Sequence, residues 1–163
     1  MIPKFELLKV AQELCARYDC LLFGSLGLEL TCPEVLEDEA HDADFYADAK
    51  RNNLMGIIDY LKRNGYEVFS WQDPIGANFN YDTLKGRFYF RGVKLIPGFE
   101  PAVIDVTYEI RDLVYNDLAL LTTRLSDIRI LNRQGFILAL SKAEKAKHKR
   151  ECCLLAQMEG MIA

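Results

Sequence analysis

The sequence predicts an α/β domain built on a mixed β-sheet flanked by helices, with further helices gathered at its C-terminal end. Three observations predict it. Short strand-like runs alternate with stretches of helical period along the first two thirds of the chain. The apolar run in "LLFGSLGLEL" halts at Gly24-Ser25 and resumes as a helix-forming segment. The run "DADFYA" alternates acidic and apolar side chains with the period of a strand.

Taken in order, "PKFELLKVAQELCARY" places Phe5, Leu8, Ala11 and Cys15 at helical spacing, with Leu7 and Leu14 beside them and Pro3 suited to the first turn. "DCLLF" reads as a short buried strand that Gly24-Ser25 ends. "TCPEVLEDEA" is a polar, acidic loop. In "DADFYA", Asp42, Asp44 and Tyr46 share one face, and Ala43, Phe45 and Ala47 the other. Asp48 is placed to cap the next helix, Leu54, Ile57, Ile58 and Leu61 form its apolar stripe, and Gly65 ends it.

"YEVFSW" is strand-like, and "QDPIGANFNYD" is a turn-rich link. "RFYFRG" is a strand with Arg87, Tyr89 and Arg91 on one side; "VIDVTYEI" is another, with Asp105, Thr107 and Glu109 aligned. Beyond Arg111 the chain turns mainly helical, with one further strand at "IRILN" and helices over "RQGFILALSKAEKAKHK" and "ECCLLAQM".

The totals fit that picture. A length of 163 residues, half of them hydrophobic, suits one domain over 1–163, with a core over 1–110 and a mainly helical segment over 111–163. A formal net charge of -4 argues against a protein that coats nucleic acid through bulk charge, and leaves room for a local basic patch. The five cysteines (Cys15, Cys20, Cys32, Cys152, Cys153) lack zinc spacing and a disulfide framework, and read as buried or half-buried thiols. Pro3, Lys4 and Glu6 interrupt any signal peptide, and no apolar run reaches ~18 residues. The expectation is a cytoplasmic protein without a membrane span.

The acidic residues carry the chemistry. An Asp-x-Asp on a strand sets two carboxylates on one face, roughly 7 Å apart along the chain. Like charges so close repel unless water or a cation lies between them, and magnesium favours one or two carboxylates with substrate phosphate. Asp105 lies between Ile104 and Val106, so a charged side chain leaves an apolar strand. Pairing with Arg87 or Arg91 and joining Asp42 and Asp44 around an ion are both open readings of it. Gly24-Ser25 sits at a strand-to-helix turn, where backbone N–H groups and a helix start favour an anion.

The ordered set "LLFGS", "DADF" and "VIDV" resembles the nucleotidyltransferase fold superfamily, the DNA polymerase beta-like group that includes small antibiotic-modifying and toxin-type nucleotidyltransferases. The resemblance spans residues 21–106. It implies that Gly24 and Ser25 hold the phosphates of a nucleoside triphosphate such as ATP. It implies that Asp42 and Asp44 bind Mg2+ (or Mn2+), and that Asp105 binds metal or takes the acceptor's proton. The sixteen residues between Ser25 and Asp42 are more than the family usually has, and the acidic "EVLEDEA" fills part of that gap.

"LALSKAEKAKHKRECCLL" resembles the lysine-bearing terminal helix of small members of that group, with Lys142 as the lysine toward phosphate. Lys142, Lys145 and Lys149 share a helical face by spacing, which equally describes a solvated basic face. Leu154 stands where such relatives often have an acid. His41 reads as a loop residue at the site's edge, Tyr46 and Tyr89 as base-stacking or strand residues, and Phe69 and Trp71 as packing.

The function expected is magnesium-dependent transfer of a nucleoside monophosphate from a triphosphate to an acceptor hydroxyl. The acceptor is left open among a small molecule, a tRNA end and a protein. The alternative is a non-catalytic nucleotide-, RNA- or protein-binding module on the same fold, which the acidic loop suggests. A third class is a scaffold or antitoxin-like partner using the late helices. A small transferase of this type can complete its site by dimerising, so a homodimer is also an expectation.

Overall fold

Helix α1 (Lys4–Arg17) follows Pro3 and buries Leu7, Val10, Ala11 and Leu14. Strand β1 (Cys20–Phe23) leads directly into α2 (Gly24–Thr31), with Gly24 at φ +66° making the turn. A single 3-10 turn over Pro33–Val35 interrupts the acidic loop. The computed structural model from which these elements are read describes residues 1–143 and 145–160. Glu144, within the expected basic helix, and residues 161–163, at the end of the expected domain, lie outside the described residues.

Strand β2 (Ala43–Ala47) behaves as its alternation predicts: Ala43, Phe45 and Ala47 are fully buried, while Asp44 keeps some exposure on the other face. Each large apolar side chain buried in this way stabilises the fold by about 1.5–3 kcal/mol. Helix α3 (Arg51–Arg63) buries the stripe Leu54, Ile57, Ile58 and Leu61 and contacts β3 (Glu67–Ser70). Gly65 at φ +86° follows its end. Asp48 does not cap α3: the helix starts after Lys50 with no side-chain cap, and Asp48 pairs with Lys50 at 3.5 Å.

Two residues, Asp73–Pro74, form the edge strand β4 inside the segment expected as a turn-rich link. Strand β5 (Tyr89–Lys94) begins later than the sequence suggests, because Phe88 takes φ +69° and breaks the alternation. Arg87 therefore lies outside the strand and pairs with Asp73 at 2.7 Å, off the row that holds Arg91. Strand β6 (Ala102–Thr107) carries Asp105; Glu109 falls beyond its end.

The segment 111–163, expected to be mainly helical, also extends the sheet. After α4 (Tyr115–Ala119), β7 (Thr122–Leu125) and β8 (Ile128–Leu131) form a hairpin turned by Ser126 and Asp127, both at positive φ, as a two-residue hairpin loop requires. Strand β8 matches the strand expected at "IRILN"; β7 carries no strand expectation. The sheet order is β4-β3-β5-β6-β2-β1-β8-β7, with β1/β8 and β2/β6 parallel and the other neighbours antiparallel.

The basic helix is broken. Helix α5 (Arg133–Ser141) and α6 (Ala146–Met158) pack against each other, and Lys142 and Lys145 flank the break. The three lysines expected on one face thus belong to different elements. No described helix is long and apolar enough to cross a membrane.

Candidate metal and nucleotide site

The site is set by strand register. Arg91 on β5, Asp105 on β6, Asp44 on β2 and Phe23 on β1 are successive cross-strand partners, forming one row across four strands. Directly opposed residues in paired strands project to the same face. Two acids far apart in sequence therefore stand side by side because β2 and β6 pair in parallel at this register. Asp42, two residues before Asp44, joins them from just ahead of β2.

Asp42, Asp44 and Asp105 each offer a carboxylate oxygen, and these atoms lie within 4.8 Å of one another. Asp105 is buried, and the other two are half-buried. Burial first, and then the charges of Asp42 and Asp105, push the Asp44 carboxyl up to about 7; Arg91 and Lys147 partly offset this. Asp42 is raised too, by burial and then by Asp105. An all-oxygen donor set of this density suits a hard divalent cation.

Arg91 grips Asp105 with two bonds, Nε to one oxygen at 2.7 Å and Nη2 to the other at 3.0 Å. The structure thus combines the two readings of Asp105: it is paired with Arg91 and it also faces Asp42 and Asp44. A carboxylate offers about four lone-pair sites, so two remain for an ion or a proton.

Gly24 is fixed by the same geometry. A Cβ at this position would stand 2.8 Å from the Cβ of Asp44 and overlap its carboxylate. Only glycine allows both the positive φ and this approach. Ser25 follows at the start of α2, and Lys147 on α6 donates to its Oγ at 3.4 Å. Together these groups line a cleft of about 510 Å³ that the three aspartates, Arg91, Lys142 and Lys145 also line.

Of the residues singled out from sequence, Gly24, Ser25, Asp42, Asp44, Asp105 and Lys142 all line this cleft. Lys147 was missed because a continuous helix would have turned it off the face of Lys142 and Lys149. The break after α5 changes that, and no residue type in the run announces it. Thr107, opposite Tyr89, also lines the cleft. Tyr46 is buried, with its hydroxyl on the Leu113 carbonyl, and has no face for a base. His41 is exposed, 3.3 Å from Glu100.

The acidic loop is held away from the cleft. Arg150 donates to the Val35 carbonyl at 3.0 Å and lies 3.4 Å from Glu37, while Lys4 reaches Glu39 at 3.2 Å. Among the described residues, none of 34–40 lines the cleft.

No protein-family model matches the chain, and no curated protein matches it. Solved structures do. A Helicobacter pylori protein with a provisional nucleotidyltransferase assignment aligns with a TM-score of 0.55 at 17% identity, over 94% of this chain and 66% of its own. JHP933 from Helicobacter pylori aligns with a TM-score of 0.55 at 16% identity, over 94% of this chain and 64% of its own. The Megavirus polyadenylate synthase aligns with a TM-score of 0.55 at 14% identity, over 98% of this chain and 32% of its own. This chain therefore spans less than two thirds of the length of each of these structures. The likeness shows that its fold is nucleotidyltransferase-like.

Proposed function

We propose that the protein is a nucleotidyltransferase. It binds a nucleoside triphosphate and a divalent cation in this cleft and moves the nucleoside monophosphate to an acceptor hydroxyl. The observation that carries the reading is the convergence of Asp42, Asp44 and Asp105 beside the Gly24-Ser25 turn.

Magnesium or manganese, when bound, would neutralise the charge that develops on the transferred phosphoryl group and its leaving pyrophosphate. Asp42, Asp44 and Asp105 would hold it. Gly24, lacking a side chain, lets a phosphate approach the backbone, and Ser25 offers a hydroxyl and a backbone N–H at the start of α2. Lys147, already directed at Ser25, stands where it can meet the β- or γ-phosphate, and Lys142 lines the same cleft. The acceptor oxygen attacks the α-phosphorus; the bond to the bridging oxygen breaks and pyrophosphate leaves. Asp105 keeps acceptor capacity beyond its two bonds to Arg91, which serves either the cation or, where Asp42 and Asp44 hold the cation between them, the acceptor's proton. Much of the rate enhancement would come from charges fixed before the reaction rather than rearranged during it.

The test is pyrophosphate release from each triphosphate with magnesium and a panel of hydroxyl acceptors, RNA included. Wild type should release pyrophosphate and label the acceptor, and Asp44→Asn should lose at least a hundredfold. Equal turnover in the two proteins, or none in wild type across the panel, would refute the proposal.

A further inference from the structure

The sheet face that carries the triad continues outward to an unusual aromatic group. Trp71, the sole tryptophan, is 51% exposed and sits at φ +56°. Phe88 is 52% exposed and sits at φ +69°. Bulky residues seldom adopt left-handed backbone, and such strain persists only where the surroundings impose it. Here two large apolar rings are held out into solvent by strained positions.

The surroundings of Trp71 are specific. Its Nε1–H donates to the Arg87 carbonyl at 2.7 Å, and the Arg87 guanidinium lies 5.1 Å from the ring centroid. Arg87 is itself fixed by the Ser70 carbonyl and hydroxyl, each at 3.2 Å, and by Asp73 at 2.7 Å. The indole thus has its donor satisfied and an arginine against the ring, yet half its surface stays open. A ring immobilised in advance loses little freedom when something stacks on it.

The depression that holds this ring lies beside the strands that carry the triad. Trp71 and Tyr89 line one shallow depression with Gln72 and Asp73. Tyr89 is the cross-strand partner of Thr107, which lines the triad cleft. Phe69, Arg91 and Asp105 form the adjacent row across β3, β5 and β6. The triad cleft also carries a basic group: Lys142, Lys145 and Lys147 line it and are all exposed, in a chain whose net charge is -4.

We propose that Trp71 and Tyr89 form a stacking platform for a base of a single-stranded nucleic acid acceptor, whose phosphates run past the cleft lysines. The proposal rests on the nucleotidyltransferase reading for the word acceptor, though not for binding itself. An open aromatic face takes any base, and clustered lysines take the backbone. The polar floor of Gln72 and Asp73 gives an apolar peptide helix no seat. On this face the Tyr89–Thr107 row is next to the row of Asp105, so the stacked base would lie a short distance inward from the reacting terminal hydroxyl.

Because Trp71 is the only tryptophan, its emission reports on the platform directly. The experiment titrates wild type with an oligoadenylate RNA of about ten nucleotides, without triphosphate or magnesium, at low and at raised salt. Saturable quenching that weakens with salt is expected. By anisotropy of a labelled oligonucleotide, Trp71→Ala should bind at least about tenfold more weakly, and Trp71→Phe within a few-fold of wild type. Thermal melts of each variant separate lost binding from lost folding. Wild type that binds the oligonucleotide yet releases no pyrophosphate from any triphosphate defeats the enzymatic reading and leaves this one standing. Unchanged emission with the oligonucleotide overturns the proposal even if a small hydroxyl compound is an acceptor. Quenching by a triphosphate or a peptide but not by the oligonucleotide overturns it as well.

Discussion

Gly24 and Asp44 are pressed together so closely that a Cβ on Gly24 would stand 2.8 Å from the Cβ of Asp44. The relation links the turn proposed to meet phosphate with the acid proposed to hold the cation through one missing methyl group. Gly24→Ala adds left-handed backbone strain of about 1–2 kcal/mol and displaces Asp44. Chemical denaturation should show a loss near that size, and calorimetry should show magnesium-dependent triphosphate binding abolished. Retained binding would mean that the close approach has no role in the site.

Arg91, ahead of Lys147, offsets the charge of the carboxylate cluster. Arg91→Met leaves Asp105 without its two bonds, at a cost of about 1–3 kcal/mol. That is less than for a fully buried pair, because Arg91 is 48% exposed. The variant should melt lower than wild type in chelator and gain more from manganese than wild type does. Equal melting in chelator would show that the pair contributes nothing.

The raised Asp44 carboxyl has a sign that can be checked. Its ordinary value is 3.8 and its folded value is about 7. Between those values the folded protein keeps a proton that the unfolded chain has lost. This group's contribution to stability is therefore full below about 3.8 and is lost as pH rises through about 7. Magnesium competes with that same proton, so the rise in melting temperature it gives should grow as pH climbs toward about 7. Asp44→Asn should flatten that dependence. A magnesium effect that does not vary with pH would contradict the assignment.

Two lysines compete for one role. Lys147 already contacts Ser25 and Lys142 lines the same cleft. Lys147→Ala should raise the apparent KM for triphosphate by roughly tenfold or more, the size of a lost charge-assisted hydrogen bond. Lys142→Ala should raise it less. The reverse order would return the phosphate role to Lys142.

Much of this site was legible because period-two alternation is strict. Once "DADFYA" and "VIDV" are strands, Asp44 and Asp105 must leave their strands on the side opposite Phe45 and Ile104. That the two strands are parallel neighbours is not written locally, since pairing is non-local; the carboxylate chemistry only asked for a third acid on a neighbouring strand, and the register supplies it. Arg87 escaped its expected row because one residue, Phe88, takes a left-handed backbone and resets the alternation. Strand β7 escaped because its hairpin turns on Ser126-Asp127 rather than a glycine-bearing pair. Lys147 was hidden by a helix break that composition does not mark. Trp71 reads as packing from its type alone; only the coordinates show it half exposed.

Asp42, Asp44 and Asp105 are proposed to bind one divalent centre together. Manganese titration followed by electron paramagnetic resonance addresses it most directly. Wild type should deplete the free-manganese signal, magnesium should restore it in competition, and Asp42→Asn, Asp44→Asn and Asp105→Asn should each weaken binding at least tenfold. Wild type that leaves the manganese signal untouched, or three variants that bind as wild type does, would contradict it.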